Sequence, residues 1–127
     1  MKVLNEAFGW LWIVLGFASG TFLGLKFQTE TWLGGYGSHR RRLIRLGHIS
    51  FLGLGFLNIL FAHSLPQLHL SQAWLSLASG SLILGGVTMP MCCGLMAWRK
   101  NLQPVFAIPV VALLIGAFLV LIGMVQP

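Results

Sequence analysis

The chain has 127 residues, 57% of them hydrophobic and only 8% charged, with a formal net charge of +6. Soluble domains carry about a quarter charged residues, so this chain has too little charge to cover a water-facing surface. The basic excess does not indicate nucleic acid: the Lys and Arg residues flank apolar blocks, where they act as topology and headgroup signals, and a membrane core offers no platform for a duplex.

Four apolar blocks follow in chain order, over residues 8–27, 43–63, 73–98 and 104–125. Each reaches the roughly 20 residues that a helix needs to cross about 30 Å of hydrocarbon. Only helices and closed barrels satisfy the backbone in lipid, and the alternating polar residues of a barrel strand are absent. The expected architecture is all-α: an integral-membrane four-helix transmembrane bundle, with residues 1–127 forming one domain.

The first block carries Gly16, Gly20 and Gly24 at a spacing of four, a small-residue stripe suited to close helix approach. It is expected to be retained rather than cleaved, because Lys2 is offset by Glu6 and "ASG" is a faint signal-peptidase site. Residues 27–42 form the longest stretch expected to be non-helical, with Trp32 and Tyr36 resting in the interface. Lys26, Arg40, Arg41, Arg42 and Arg45 lie between the first two blocks, and Arg99 and Lys100 between the last two; the opposite side has only Lys2. By the positive-inside rule both basic loops are cytoplasmic and both termini are outside, in the periplasm of a bacterial-type inner membrane. Arg40, Arg41, Arg42, Arg45, Arg99 and Lys100 are expected to meet anionic lipid headgroups, each adding about 1 kcal/mol of attraction. Trp10, Trp12 and Trp74 fall at outer ends of blocks and Trp98 at an inner end, as interfacial aromatics do.

The second block holds the most informative polar residues. On a helical wheel His48, Gly55, Asn58 and Ala62 share one face. Polar groups at membrane depth face the bundle interior, so Asn58 is expected to make an interior polar contact near the midplane. His48 has three readings: an axial ligand to haem or another porphyrin, one donor of a metal site, or a structural hydrogen-bonder. His63 lies at the outer edge, rotated off this face.

The third block adds further packing pairs, Ser76 with Gly80 and Ser81 with Gly85, and holds Pro90, which removes a helix hydrogen bond and crowds the carbonyl of Gly86. A kink is expected there. Met89, Cys92, Cys93 and Met96 follow one helix face, and with His48 they form a candidate Cu(I) set, since thiolate and thioether donors suit that ion. Adjacent cysteines close no useful loop, so both are expected as free thiols. In the fourth block Pro104 suits a helix start, Pro109 bends the entry, and Ala112 with Gly116 forms another small-residue groove.

Conventional catalysis has no constellation to use. Glu6 and Glu30 are the only acids, and blocks two to four contain none, so paired carboxylates and a Ser-His-Asp triad are excluded. The chain is expected not to be an enzyme.

The stretch "GHISFLGLGFLN", residues 47–58, resembles small bacterial four-span membrane proteins related to one piece of the haem-copper oxidase catalytic subunit. In those proteins a histidine opens a span and an apolar run with glycine and asparagine follows. That family often shows two histidines two residues apart, whereas here His48 stands alone, with Gly47 before it and Ser50 after. The resemblance implies a redox-associated membrane setting. The expected function is a non-catalytic accessory or assembly subunit of a larger membrane complex, redox or light-harvesting, with lipid and other membrane subunits as partners. The alternatives are a haem- or Cu(I)-binding protein centred on His48 and a small homo-oligomeric transporter.

Overall fold

A computed structural model describes residues 1–126. It contains four long helices: α1 (Lys2–Phe27), α2 (His39–Ser64), α3 (Gln72–Trp98) and α4 (Ala107–Val125). Short 3₁₀ segments at Trp32–Gly34, Leu65–Gln67 and Lys100–Phe106 join them, and no strand occurs among the described residues. All four helices are long and apolar enough to cross a membrane.

Three helix starts differ from the apolar blocks; α4 begins at Ala107, since Pro104, expected at a helix start, lies in the 3₁₀ segment before it. Helix α1 begins at Lys2 rather than at residue 8, which brings Asn5 and Glu6 into the helix. Helix α2 begins at His39 because Ser38 caps it: its Oγ accepts from the Arg41 backbone N–H at 3.1 Å. Arg40, Arg41 and Arg42, expected in a loop, therefore occupy the first turn of α2. Cations at a helix N-terminus oppose the helix dipole. Arg41 meets this by folding back on α1. Its guanidinium donates to Phe27 O and Glu30 O, both at 3.1 Å, and lies 4.4 Å from the Phe27 ring centre. Phe27 O is one of the carbonyls that the end of α1 leaves without a helical partner. Arg41 is 4% exposed, so it departs from the headgroup role expected of the arginine cluster. It is an internal cap, and its Nε has no hydrogen-bond partner.

The helices pack in chain order, antiparallel: α1 on α2, α2 on α3, α3 on α4, with α1 touching α3 only lightly. Glycines set the close approaches. A methyl added at Gly9 would lie 2.6 Å from Gly55 O, and one at Gly55 would lie 2.8 Å from Gly9 O. Gly16 receives Leu52 of α2; Gly85 and Gly116 receive Leu113 and Leu82 across the α3–α4 seam. Gly24, at the end of the stripe seen in the sequence, meets nothing within 4 Å. Phe61, Leu68, Ala78 and Leu82 form the tightest apolar cluster, at the end of the molecule that holds both termini.

Helix α3 runs as one helix through Pro90. The carbonyl of Gly86 loses its usual donor there, since proline has no N–H. Trp12 of α1 supplies a replacement: its indole Nε1–H donates to Gly86 O at 3.0 Å. Trp12, expected as an interfacial residue, is instead turned between the helices. It stacks on Phe8 at 4.1 Å and tilts against Phe51 at 5.8 Å.

Candidate functional site

The polar side chains inside the bundle form two groups. Toward the end with the termini, Asn5, Asn58 and Ser79 join three helices. Asn5 Nδ2 donates to Asn58 Oδ1 at 2.8 Å, Ser79 Oγ donates to Asn5 Oδ1 at 2.6 Å, and Asn58 Nδ2 donates to Leu54 O at 2.9 Å. Both asparagines are fully buried. Each carboxamide oxygen accepts one bond and each amide group gives one, so the clasp is closed on itself and presents no free group to a ligand. It lies near the N-terminal end of α1 and toward the C-terminal end of α2. Nearby, His63 Nε2 lies 3.2 Å from Glu6 Oε1 in an exposed pair. His63 is thus engaged outside the bundle core and does not join His48.

The second group surrounds a cavity of about 750 Å³ between α1, α2 and α3. Its walls are almost wholly apolar. Trp12, Phe22 and Leu23 come from α1; Leu43, Ile44, Gly47 and Phe51 from α2; Val87, Pro90, Met91, Gly94 and Trp98 from α3. Trp32 and Leu33 close it from the loop at the basic end. That turn needs unusual backbone: Leu33 sits at φ 53°, ψ 29°, a left-handed conformation costly for leucine. Ser38 Oγ holds it by donating to Leu33 O at 2.7 Å. The same hydroxyl that starts α2 therefore also fixes the cavity's end wall.

Ser19 and His48 are the cavity's polar residues apart from the indoles. Ser19 Oγ lies 3.0 Å from Gly16 O and 3.0 Å from His48 Nδ1. A hydroxyl has one proton, and the Gly16 carbonyl can only accept. Both contacts are hydrogen bonds at once only in the tautomer in which His48 Nδ1 donates to Ser19 and the hydroxyl donates to Gly16 O. In that tautomer the lone pair is on Nε2, which makes no hydrogen bond among the described residues. Gly20 makes room for the ring, since a methyl there would lie 2.8 Å from His48 Cε1 and 3.3 Å from Nε2. An imidazole held through Nδ1–H with Nε2 free is the arrangement in which histidine serves as a ligand or acceptor.

The candidate soft-metal set is divided. Cys92 Sγ donates to Val105 O at 3.6 Å, toward the segment before α4, while the Cys93 Cβ packs beside Gly47 of α2. Met89, Cys92, Cys93 and Met96 are all absent from the cavity wall that holds His48. The i, i+3, i+4, i+7 spacing placed them on one face, but that face is broad enough to contact two different neighbours. No group of three or more His, Cys, Asp or Glu side chains is placed to hold a metal ion among the described residues.

At the basic end Arg45 lies over the Tyr36 ring at 4.2 Å and donates to Tyr36 O at 3.3 Å. His39 Nε2 donates to Met96 O at 3.1 Å, tying the start of α2 to the end of α3. Arg40, Arg42, Arg99 and Lys100 are exposed. No protein-family model, curated protein or solved structure matches this chain.

Proposed function

We propose that this chain is a multi-pass protein of a bacterial-type inner membrane, both termini outside, that binds one flat apolar ligand in the cavity between α1, α2 and α3 and anchors it through His48. Haem or another porphyrin is the ligand class that suits the site, because imidazole is a common axial donor. The volume falls within the roughly 300–1,000 Å³ of small-molecule sites, which combine apolar walls with a few placed polar groups. The observation that carries this reading is the Ser19–His48 pair on the wall of an apolar cavity, which engages Nδ1 while Nε2 makes no hydrogen bond among the described residues. Copper is disfavoured as the ligand, because neither thiol lines the cavity that holds His48.

The test is a titration of the purified protein in detergent with haemin, followed by its visible spectrum. The expected result is a Soret shift that His48→Ala abolishes. Ser19→Ala should weaken binding by about tenfold, the usual cost of losing a group that orients a ligating histidine. A spectrum indifferent to His48→Ala would overturn the proposal.

A second reading, an accessory or assembly subunit of a larger membrane complex, is favoured by Gly24, Gly53 and Gly80. They meet open space, although other glycines of the same helices are used for close helix contact. A colourless protein that co-purifies with larger membrane partners would support it.

A further inference from the structure

The face of α2 that lines the cavity continues past it. Leu43, Ile44, Gly47, His48 and Phe51 line the wall. Counting back from Leu43 and Ile44 by three and four positions, the next residue on that face is Arg40. It stands eight positions from His48, about 12 Å along the axis at the α-helical rise. The other arginines nearest this end are committed: Arg41 to Phe27 O and Glu30 O, Arg45 to Tyr36. Arg42 is two positions on and points to the opposite side of the wheel. Arg40 is exposed and makes no hydrogen bond or ion pair among the described residues. Arg99 follows Trp98, the last wall residue of α3, at the same end.

The chemistry of the two ends differs sharply. At the depth of His48 the walls offer an anion nothing but Ser19 and the imidazole, and an unpaired charge there is costly. At the basic end the cavity face finishes on a free guanidinium, a good partner for a carboxylate.

We propose that the ligand is an amphiphile with an acidic edge, its apolar body in the cavity, its centre at His48 and its carboxylates at Arg40. This rests on the reading of His48 as the anchor. Binding therefore has one sense, acidic edge toward the basic loops.

The experiment uses the full chain in nanodiscs of zwitterionic lipid, so that anionic headgroups do not compete. Two probes are titrated by their Soret bands: haemin, which carries two carboxylates, and ferric octaethylporphyrin, which carries none. The expected result is a preference for haemin of about fivefold at low salt, the scale of one partly exposed ion pair. Arg40→Gln should remove that preference, Arg40→Lys should restore part of it, and Arg42→Gln should leave it intact. Equal affinity for the two probes, or a preference that survives Arg40→Gln, would overturn this inference while leaving the His48 anchor standing. Binding of neither probe, or binding that ignores His48→Ala, would overturn both.

Discussion

The bond from Trp12 to Gly86 O makes a prediction that separates hydrogen bonding from packing. In a regular helix the carbonyl of residue 86 is served by the N–H of residue 90, and Pro90 has none. Trp12 Nε1 fills that vacancy at 3.0 Å. Trp12→Phe removes the donor and also trims a ring that contacts Phe8 and Phe51. Pro90→Ala returns a backbone N–H to the same carbonyl. The packing loss is common to both backgrounds, whereas the orphaned carbonyl exists only where Pro90 remains. Interhelical hydrogen bonds in membranes are worth about 0.6 kcal/mol on average and up to about 1.7 kcal/mol. A carbonyl left bare in an apolar cavity belongs in the upper half of that range. Trp12→Phe should therefore cost about 1 kcal/mol less in the Pro90→Ala background than in the wild type, a factor of about five in the unfolding constant. Unfolding in mixed micelles can be followed with a thiol-reactive fluorogenic dye, because Cys92 and Cys93 are 4% and 0% exposed. An equal cost of Trp12→Phe in the two backgrounds would refute the donor-replacement argument and reduce Trp12 to a packing residue.

The same assay checks two further residues. Asn58→Leu leaves Asn5 Nδ2 without its acceptor in a fully buried position and should cost about 1–2 kcal/mol, whereas Asn5→Leu combined with Asn58→Leu should cost less than the two singles summed; strict additivity would show that the clasp is not one unit. Arg41→Gln removes the charged donor from Phe27 O and Glu30 O and should cost about 2 kcal/mol, while Arg42→Gln, exposed and unpartnered, should stay within about 0.5 kcal/mol; equal effects would place Arg41 back among the surface charges.

Much of the fold was legible because lipid-length apolar runs have one economical solution, and four of them give four helices. The ends were less legible, since hydropathy marks where a helix is apolar and not where it starts. Ser38, a serine just before the charged run, was the available signal for the start of α2. Reading the arginines as one headgroup cluster hid Arg41, whose partners are backbone carbonyls and leave no trace in side-chain pattern. Asn5 was missed because the first span was drawn from Phe8, after the polar pair Asn5 and Glu6, although Asn5, Gly9, Trp12 and Gly16 lie on one face of α1. His48 and Asn58 were legible as polar residues on one face of α2. Their partners, Ser19, Asn5 and Ser79, come from other helices, and a single sequence does not encode which faces meet. The soft-donor set shows a different limit: a shared helix face does not give a shared direction, and Cys92 and Cys93 meet different neighbours.

The position of the cavity follows from how the helices are held. At the end with the termini, backbone touches backbone at Gly9 and Gly55, the buried amide clasp spans three helices, and Phe61 and Leu82 fill the space between them. At the basic end α1 is secured differently. Its last carbonyl is held by Arg41 from the start of α2, and α3 is held to α2 through His39. Neither device packs α1 against α3, which touch only lightly. The aromatic side chains of Trp12 and Phe51 lie in the space that results and wall the gap rather than closing it. The void is therefore a consequence of tying helix ends by polar caps in one half and packing side chains in the other. Because the clasp and the apolar cluster lie in the opposite half from His48, the residues that hold the fold are separate from the one proposed as a ligand anchor.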